Sequence, residues 1–138
     1  MDSLTIGQLA TRCRVNVETI RYYERRGLLP APPRLYSGYR QYSPGDARRV
    51  LFIKRAQRLG FTLREVSELL HLRVDPYTTC ADVRRRAETK IAEIGEKIRE
   101  LEAMRQALAK LATACAGFGP SSECPILDAL EASGDDPG

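Results

Sequence analysis

The chain has 138 residues, of which 43% are apolar and 29% are charged. These values exclude a membrane-spanning protein, because no apolar run reaches the roughly 20 residues that cross a bilayer. The start of the chain also lacks the charged-then-apolar pattern of an export signal. The formal net charge of +4 is uneven: residues 1–73 hold 14 Lys/Arg and 6 Asp/Glu, whereas residues 74–138 hold 8 and 12. We therefore expect a cytoplasmic protein without a membrane partner, whose basic first half binds nucleic acid.

The first pattern is a pair of short helices joined by a turn. Thr5 and Gln8 have the spacing of a capping box, which predicts a helix directly after Thr5. Asn16 is predicted to cap a second helix that runs to about Arg26, and Cys13-Arg14-Val15 forms the turn. This arrangement is typical of a helix-turn-helix, although an ordinary two-helix hairpin gives the same pattern. The outer face of the second helix carries side chains suited to phosphates and base edges: Glu18, Thr19, Arg21, Tyr22, Arg25 and Arg26.

A small hairpin is predicted after the second helix. Three prolines between residues 30 and 33 disfavour another helix. Leu35-Tyr36 and Tyr39 to Tyr42 then flank Ser37-Gly38, a pattern typical of two short strands around a turn. We interpret this hairpin as a wing that brings Arg40 to the DNA backbone; the alternative is an ordinary connecting hairpin.

Two further helices are predicted before residue 74. Ser43-Pro44 starts the first, and a second capping box formed by Thr62 and Glu65 starts the next. Their predicted buried residues are Val50, Phe52, Ile53, Ala56 and Leu59 in the first helix and Leu63, Val66, Leu69 and Leu70 in the second. We interpret His71, the one histidine of the chain, as a surface or packing residue and not as a ligand.

A single apolar stripe predicts one long helix from Cys80 to Cys115. Apolar residues recur at steps of three or four: Val83, Ala87, Ile91, Ile94, Ile98, Leu101, Met104, Leu108 and Leu111. Thr79 is predicted to cap this helix, with Asp82 at its third position. A helix with one apolar stripe needs a partner, and the simplest partner is a second, antiparallel copy.

The thiols of Cys80, Cys115 and Cys124 form the candidate metal site. At a rise of about 1.5 Å per residue, Cys80 and Cys115 of one helix are roughly 50 Å apart and cannot share a ligand. Two antiparallel copies would bring Cys80 of one chain beside Cys115 of the other, with Cys124 a short loop further on. Three thiolates suit a soft ion such as Hg(II), with Cd(II) or Pb(II) next. A redox switch is the alternative use of these thiols, and we interpret Cys13 as a buried core residue.

Together these motifs resemble the MerR family of transcription regulators over essentially the whole chain. The resemblance lies in residues 4–7, 17–24, 27–29, 39–42 and 52–61. Cys80, Cys115 and Cys124 resemble the three ligands of the mercury-responsive members. Residues 124–127, Cys-Pro-Ile-Leu, also resemble the zinc, cadmium and lead branch. Hg(II) is therefore the expected effector, with Cd(II), Pb(II) or Zn(II) as alternatives.

The resemblance implies a homodimer on double-stranded promoter DNA whose spacer between the two polymerase elements is too long. Without metal the dimer would hold the promoter inactive, and with metal it would bend and untwist the DNA so that RNA polymerase can use it. The DNA contacts implied by position are Thr19, Arg21, Tyr22, Arg40 and Tyr42. Arg14 stands in the turn where relatives often have Gly, a departure that concerns the local turn geometry.

The predicted fold class is mainly α: a winged helix-turn-helix DNA-binding domain, a long antiparallel dimerisation helix, and a short C-terminal metal-binding loop and helix. The predicted boundaries are 1–73 for the DNA-binding domain, 74–79 for a linker, 80–115 for the coiled-coil helix, 116–132 for the metal-binding loop and helix, and 133–138 for a disordered tail. An enzyme is not expected, because the sequence has neither a nucleophile elbow nor a phosphate-binding loop. The rival function is an architectural DNA-binding protein in which metal has little effect on transcription.

Overall fold

The computed structural model describes residues 3–34, 38 and 40–132, and this part of the chain is almost entirely helical. Its helices are α1 (Ile6–Cys13), α2 (Val17–Arg25), α3 (Pro44–Arg58), α4 (Leu63–Val74), α5 (Cys80–Ala114) and α6 (Pro125–Ala132), with a 3-10 turn at Ser121–Glu123. Two compact units divide between Lys90 and Ile91. None of the described helices is long and apolar enough to cross a membrane.

Hydrogen-bonded caps start the first four helices at the predicted residues. The Thr5 hydroxyl accepts a bond from the Gln8 N–H at 3.1 Å, and the Gln8 side chain accepts the Thr5 N–H at 2.9 Å. Asn16 accepts the Thr19 N–H at 2.8 Å and so caps α2. The same reciprocal arrangement as in α1 starts α3 at Ser43/Asp46 and α4 at Thr62/Glu65. These bonds satisfy N–H groups that the first turn of a helix leaves unpaired.

The apolar core of the first unit is formed by α1 to α4 and the segments between them. Its buried side chains are Leu9, Ala10, Cys13, Ile20, Tyr23, Leu28, Leu29, Tyr42, Ala47, Val50, Ile53, Ala56, Leu63 and Val66. The last five of these, which lie in α3 and α4, were predicted to be buried and are confirmed; Ala47 of α3 is also buried but was not predicted. Phe52, Leu69 and Leu70 are half-buried. The prediction for Leu59 is wrong: it is 66% exposed, because α3 ends at Arg58 and the helical periodicity no longer holds at the next residue.

The turn between α1 and α2 is held in place by α3. Arg14 has a φ of 57°, in the left-handed region that a non-glycine residue adopts only at some cost. Lys54 of α3 donates from Nζ to the carbonyl oxygens of Cys13 at 2.9 Å and of Arg14 at 3.0 Å. A cation at the C-terminal end of α1 also complements the helix dipole. The arginine therefore adopts the conformation expected of a glycine, with α3 supporting it.

Pairing between extended segments is limited, in the described residues, to two antiparallel bridges. Leu4 pairs with Tyr42, and Arg34 pairs with Arg40. The second bridge joins the two sides of the predicted hairpin. Residues 35–37 and 39 of that hairpin lie outside the described residues, as does the predicted disordered tail, 133–138.

The long helix α5 exposes its apolar stripe. No residue of α5 is buried, and seven of the predicted stripe positions are between 40% and 67% exposed: Val83, Ile91, Ile94, Ile98, Leu101, Met104 and Leu108. At its start the Asp82 carboxylate accepts the Thr79 N–H at 2.9 Å and the Thr79 hydroxyl at 3.3 Å, so the two predicted residues interact, although the Thr79 hydroxyl donates to Asp82 and does not accept a helix N–H. The helix predicted from the spacing is therefore present, and its apolar side faces solvent in the isolated chain.

Candidate DNA-binding and metal-binding sites

The exposed face of α2 is cationic. Tyr22 is 40% exposed, and the guanidinium groups of Arg25 and Arg26 lie 5.8 and 5.7 Å from the centre of its ring. Arg26 also donates to the Tyr22 hydroxyl at 2.8 Å. One turn earlier, Arg21 pairs with Glu18 at 3.0 Å, and both side chains are exposed. Exposed ion pairs of this kind are weak, so Arg21 can exchange Glu18 for a phosphate at little cost.

Thr19 is half-buried and shares its cap partner. Its hydroxyl donates to the Asn16 side-chain oxygen at 2.9 Å, the same oxygen that accepts the Thr19 N–H. The hydroxyl oxygen remains an acceptor, since a threonine hydroxyl has two lone pairs. The cap thus fixes the orientation of Thr19 at the first turn of α2.

Tyr42 lies in the core and supports Arg40 through Glu24. Tyr42 is 1% exposed, and its hydroxyl donates to the Glu24 carboxylate at 2.6 Å. The other carboxylate oxygen of Glu24 lies 3.6 Å from the Arg40 guanidinium. Burial, with a contribution from the Glu24 hydrogen bond, raises the pKa of Tyr42 to about 12. Tyr42 is a predicted DNA contact; in this structure its ring fills the core, and its hydroxyl positions the pair formed by Glu24 and Arg40.

Three arginines border one open cavity of about 470 Å³. Its lining residues are Thr5, Ile6, Gly7, Arg21, Arg34, Gly38, Arg40 and Tyr42. Arg34 and Arg40 are opposite each other in an antiparallel bridge, where like charges destabilise the pairing. An anion in the cavity would relieve this repulsion, and the N-terminal end of α1 adds N–H groups of favourable polarity. Arg34 was not predicted as a site residue. Its position opposite Arg40 in the predicted hairpin could have indicated that it lies near the DNA.

The thiols of Cys115 and Cys124 lie together in the second unit. Cys115 follows the last residue of α5, and its sulfur accepts the Gly117 N–H at 3.4 Å. Cys124 directly precedes α6. The pKa of the Cys124 thiol is lowered, first by the Leu127 N–H, then by the Ile126 N–H, and also by a hydrogen bond from the Cys115 thiol. The loop between α5 and α6 therefore brings two of the three predicted ligands close together, and its N–H groups favour the thiolate at Cys124.

The third predicted ligand, Cys80, is exposed at the first residue of α5, in the first unit. Within one chain, the described residues contain no group of three His, Cys, Asp or Glu side chains arranged to hold a metal ion. Cys13 is buried and donates to the Ala47 carbonyl at 3.6 Å, which confirms its interpretation as a core residue. His71 is exposed, and its Nδ1 lies 2.8 Å from the Ser67 carbonyl of its own helix, as expected of a surface residue.

A helix-turn-helix with a cationic second helix, followed by a long helix with an exposed apolar stripe, defines a DNA-binding regulator. Two family models match the chain: "MerR HTH family regulatory protein" over residues 4–72 and "MerR, DNA binding" over residues 47–111. The chain belongs to the MerR family of transcription regulators. The resemblance found in the sequence motifs is thereby confirmed, together with the winged helix-turn-helix and long helix that it implies.

Individual relatives are similar over nearly the whole chain. The mercuric resistance operon regulatory protein of Serratia marcescens is 43% identical over 131 residues, which are 95% of this chain and 90% of that protein. The structure of MerR from Bacillus megaterium MB1 in complex with mercury(II) is 40% identical, with a TM-score of 0.69 over 93% of this chain and 99% of that one. PbrR691 from Ralstonia metallidurans CH34, solved with lead(II), is 36% identical, with a TM-score of 0.79 over 92% and 98%.

Proposed function

We propose that this protein is a mercury(II)-responsive transcription regulator that acts as a homodimer on a metal-resistance promoter. The observation that carries the proposal is the placement of Cys115 and Cys124 on either side of one short loop between α5 and α6, in a MerR-family chain that has a third, exposed thiol at Cys80. Relatives named for mercuric resistance, and a mercury(II)-bound structure at 40% identity, support mercury as the effector. Thiolate ligands are soft and prefer such an ion.

Each metal site is shared between two subunits. Cys115 and Cys124 of one chain provide two ligands, and Cys80 of the partner subunit provides the third. Covering the exposed stripe of α5 with an antiparallel copy brings these residues together and removes apolar surface from water. These three thiols would hold a metal ion that cross-links the two subunits. The N–H groups that lower the pKa of Cys124 favour the thiolate form that a metal ion binds.

The DNA contacts of the dimer come from α2 and the wing. Thr19, Arg21, Tyr22 and Arg40 contact the promoter, and Arg34 joins Arg21 and Arg40 at the arginine-lined cavity, where a phosphate group fits. The two DNA-binding units of a homodimer then bind two halves of a palindrome. A change in their relative orientation bends and untwists the intervening DNA, which brings the promoter elements into line for RNA polymerase.

Mixed dimers test the sharing of the site. A Cys80→Ala chain and a Cys124→Ala chain each form homodimers without a complete three-thiol site. Their heterodimer, purified through two different affinity tags, regains one complete site, because intact Cys80 of one chain meets intact Cys115 and Cys124 of the other. We expect about one tightly held Hg(II) per heterodimer and none per mutant homodimer, measured in excess small thiol. A heterodimer that binds no more Hg(II) than the homodimers would contradict a site shared between subunits.

Lead(II) is the second candidate effector, because the lead(II)-bound PbrR691 structure has a TM-score of 0.79 to this chain. Run-off transcription from the cognate promoter, titrated with Hg(II), Pb(II), Cd(II) and Zn(II) in excess small thiol, distinguishes the candidates. Activation by Hg(II) at far lower concentration than by the others supports the proposal. Activation first by Pb(II), Cd(II) or Zn(II) would replace mercury as the effector, and no activation by any ion would favour the architectural or redox alternative.

A further inference from the structure

The side chain of Lys90 connects α5 to α4. Lys90 donates from Nζ to the Glu65 carboxylate at 2.8 Å, and its side chain is only 12% exposed. The same ammonium group lies 5.4 Å from the centre of the Phe61 ring, within the range of a cation–π interaction. The two partners are 25 positions apart, so this contact joins two different helices. We refer to Glu65, Lys90 and Phe61 as the α4–α5 latch.

One oxygen of the Glu65 carboxylate accepts two hydrogen bonds. The oxygen that accepts Lys90 also accepts the Thr62 N–H at 2.8 Å, which caps α4. The pKa of Glu65 is lowered, first by Lys90 and then by the Thr62 N–H. Lys90 therefore binds a carboxylate that is itself hydrogen-bonded to the backbone at the start of α4. One helical turn earlier on α5, Arg86 pairs with Glu68, which lies on the same side of α4 as Glu65.

Other ion pairs of α5 differ from the latch in what they connect. Arg84 pairs with Glu88, and Arg105 pairs with Glu102, both within α5 and exposed. Such pairs stabilise a helix by a small amount and transmit nothing to another element. The latch, in contrast, joins α5 to a helix whose Leu63 and Val66 belong to the core that supports α2.

We infer that Lys90 is the positioning residue through which a shift of α5 is transmitted to the DNA-binding unit. This inference rests on the proposed function, because it concerns how metal at the thiols alters the DNA. A displacement of α5 at Lys90 pulls the first turn of α4, and α4 moves with the core to which it is packed. The latch is thus a mechanical link between effector binding and promoter distortion.

The Lys90→Met variant tests the link. Methionine keeps an unbranched apolar chain over Phe61 and removes the charge that binds Glu65. We expect operator affinity without metal to stay within two-fold of the wild type, and the number of Hg(II) ions bound to be unchanged. Maximal Hg(II)-dependent transcription, and the fluorescence increase of a 2-aminopurine base at the promoter centre, should fall at least five-fold. Lys90→Arg should restore most of both responses, because a guanidinium can pair with Glu65 and lie over Phe61. The control is Lys110→Met on the same helix, where the side chain is exposed.

Each outcome bears on a stated part of the inference. A Lys90→Met protein that responds fully to Hg(II) overturns the role of the latch while the proposed function stands. Loss of operator binding in the absence of metal, in both Lys90 variants, makes the residue merely structural and also overturns it. A wild-type protein that does not respond to Hg(II) overturns the proposed function and the latch with it. A reduced response in Lys90→Met, rescued by Lys90→Arg, supports the inference.

Discussion

Removing the Tyr42 hydroxyl should lower the stability of the DNA-binding unit by a predictable amount. The hydroxyl donates at 2.6 Å to Glu24, whose side chain is only 9% exposed. A hydrogen bond to a charged group contributes about 1.5–3 kcal/mol, so Tyr42→Phe should reduce the free energy of unfolding by about 2 kcal/mol at neutral pH. Because the benzyl ring is retained, no cavity is created and the fold should persist. Tyr22→Phe, which alters an exposed hydroxyl, is the control and should change stability by less than about 0.5 kcal/mol.

Alkaline pH provides a second test at the same hydroxyl, whose pKa is raised first by burial and then by the Glu24 hydrogen bond. The pKa of Tyr42 is about 12 in the folded protein and 10.0 without the fold. Since the folded pKa is raised, this contribution is fully present below pH 10 and is lost as pH rises towards 12. A shift of two units corresponds to about 2–3 kcal/mol.

The assay is urea unfolding followed by circular dichroism at equal protein concentrations, for wild type, Tyr42→Phe and Tyr22→Phe. We expect the stability difference between wild type and Tyr42→Phe to be largest near neutral pH and to shrink above pH 10. Equal stabilities at neutral pH, or a difference that stays constant from pH 8 to pH 12, would refute the role assigned to this hydroxyl.

Two further predictions concern single side chains of the first unit. Arg40→Ala should weaken operator binding and lower the slope of log affinity against log salt by about one, because one phosphate contact is lost; Hg(II) stoichiometry should not change, and an unaltered gel-shift affinity would contradict the contact. The pKa of Glu65 is lowered in the folded protein. The ionised carboxylate therefore stabilises the fold above pH 4.5, the ordinary pKa of the group, and this stabilisation is lost as pH falls through the lower pKa of the folded state. Acid unfolding should therefore be steeper for the wild type than for Lys90→Met below about pH 4.5, and parallel curves would contradict the Glu65–Lys90 interaction.

Local features of the fold were predictable because short-range physics determines them. A capping box joins residues three positions apart, so the start of α1 at Thr5 and of α4 at Thr62 could be located in the sequence. The stripe of α5 could be recognised from its repeat of three and four. The thiols of Cys115 and Cys124 could be placed together because only a short loop separates them.

Contacts between distant residues were not predictable in the same way. Tyr42 was expected at the DNA, but Glu24, 18 positions earlier, offers its hydroxyl a buried partner. Lysine is usually a surface residue, and only the packing of α5 on α4 provides Lys90 with its contacts to Glu65 and Phe61. Leu59 continued the apolar pattern of α3, yet the helix had already ended. In each case a tertiary contact or a helix end overrode a local pattern.

The distribution of buried side chains along the chain has a consequence for synthesis. Every buried residue in the described part of the molecule lies between Leu9 and Val66, and α5 and α6 contribute none. The ribosome therefore completes the whole core of the DNA-binding unit before it begins α5, and that unit can fold while translation continues. In the proposed homodimer a second chain covers the α5 stripe, so this later step is bimolecular and accelerates with local concentration. For the proposed homodimer, neighbouring ribosomes on one messenger would supply chains at high local concentration, which favours dimers of sister chains over dimers assembled from free chains.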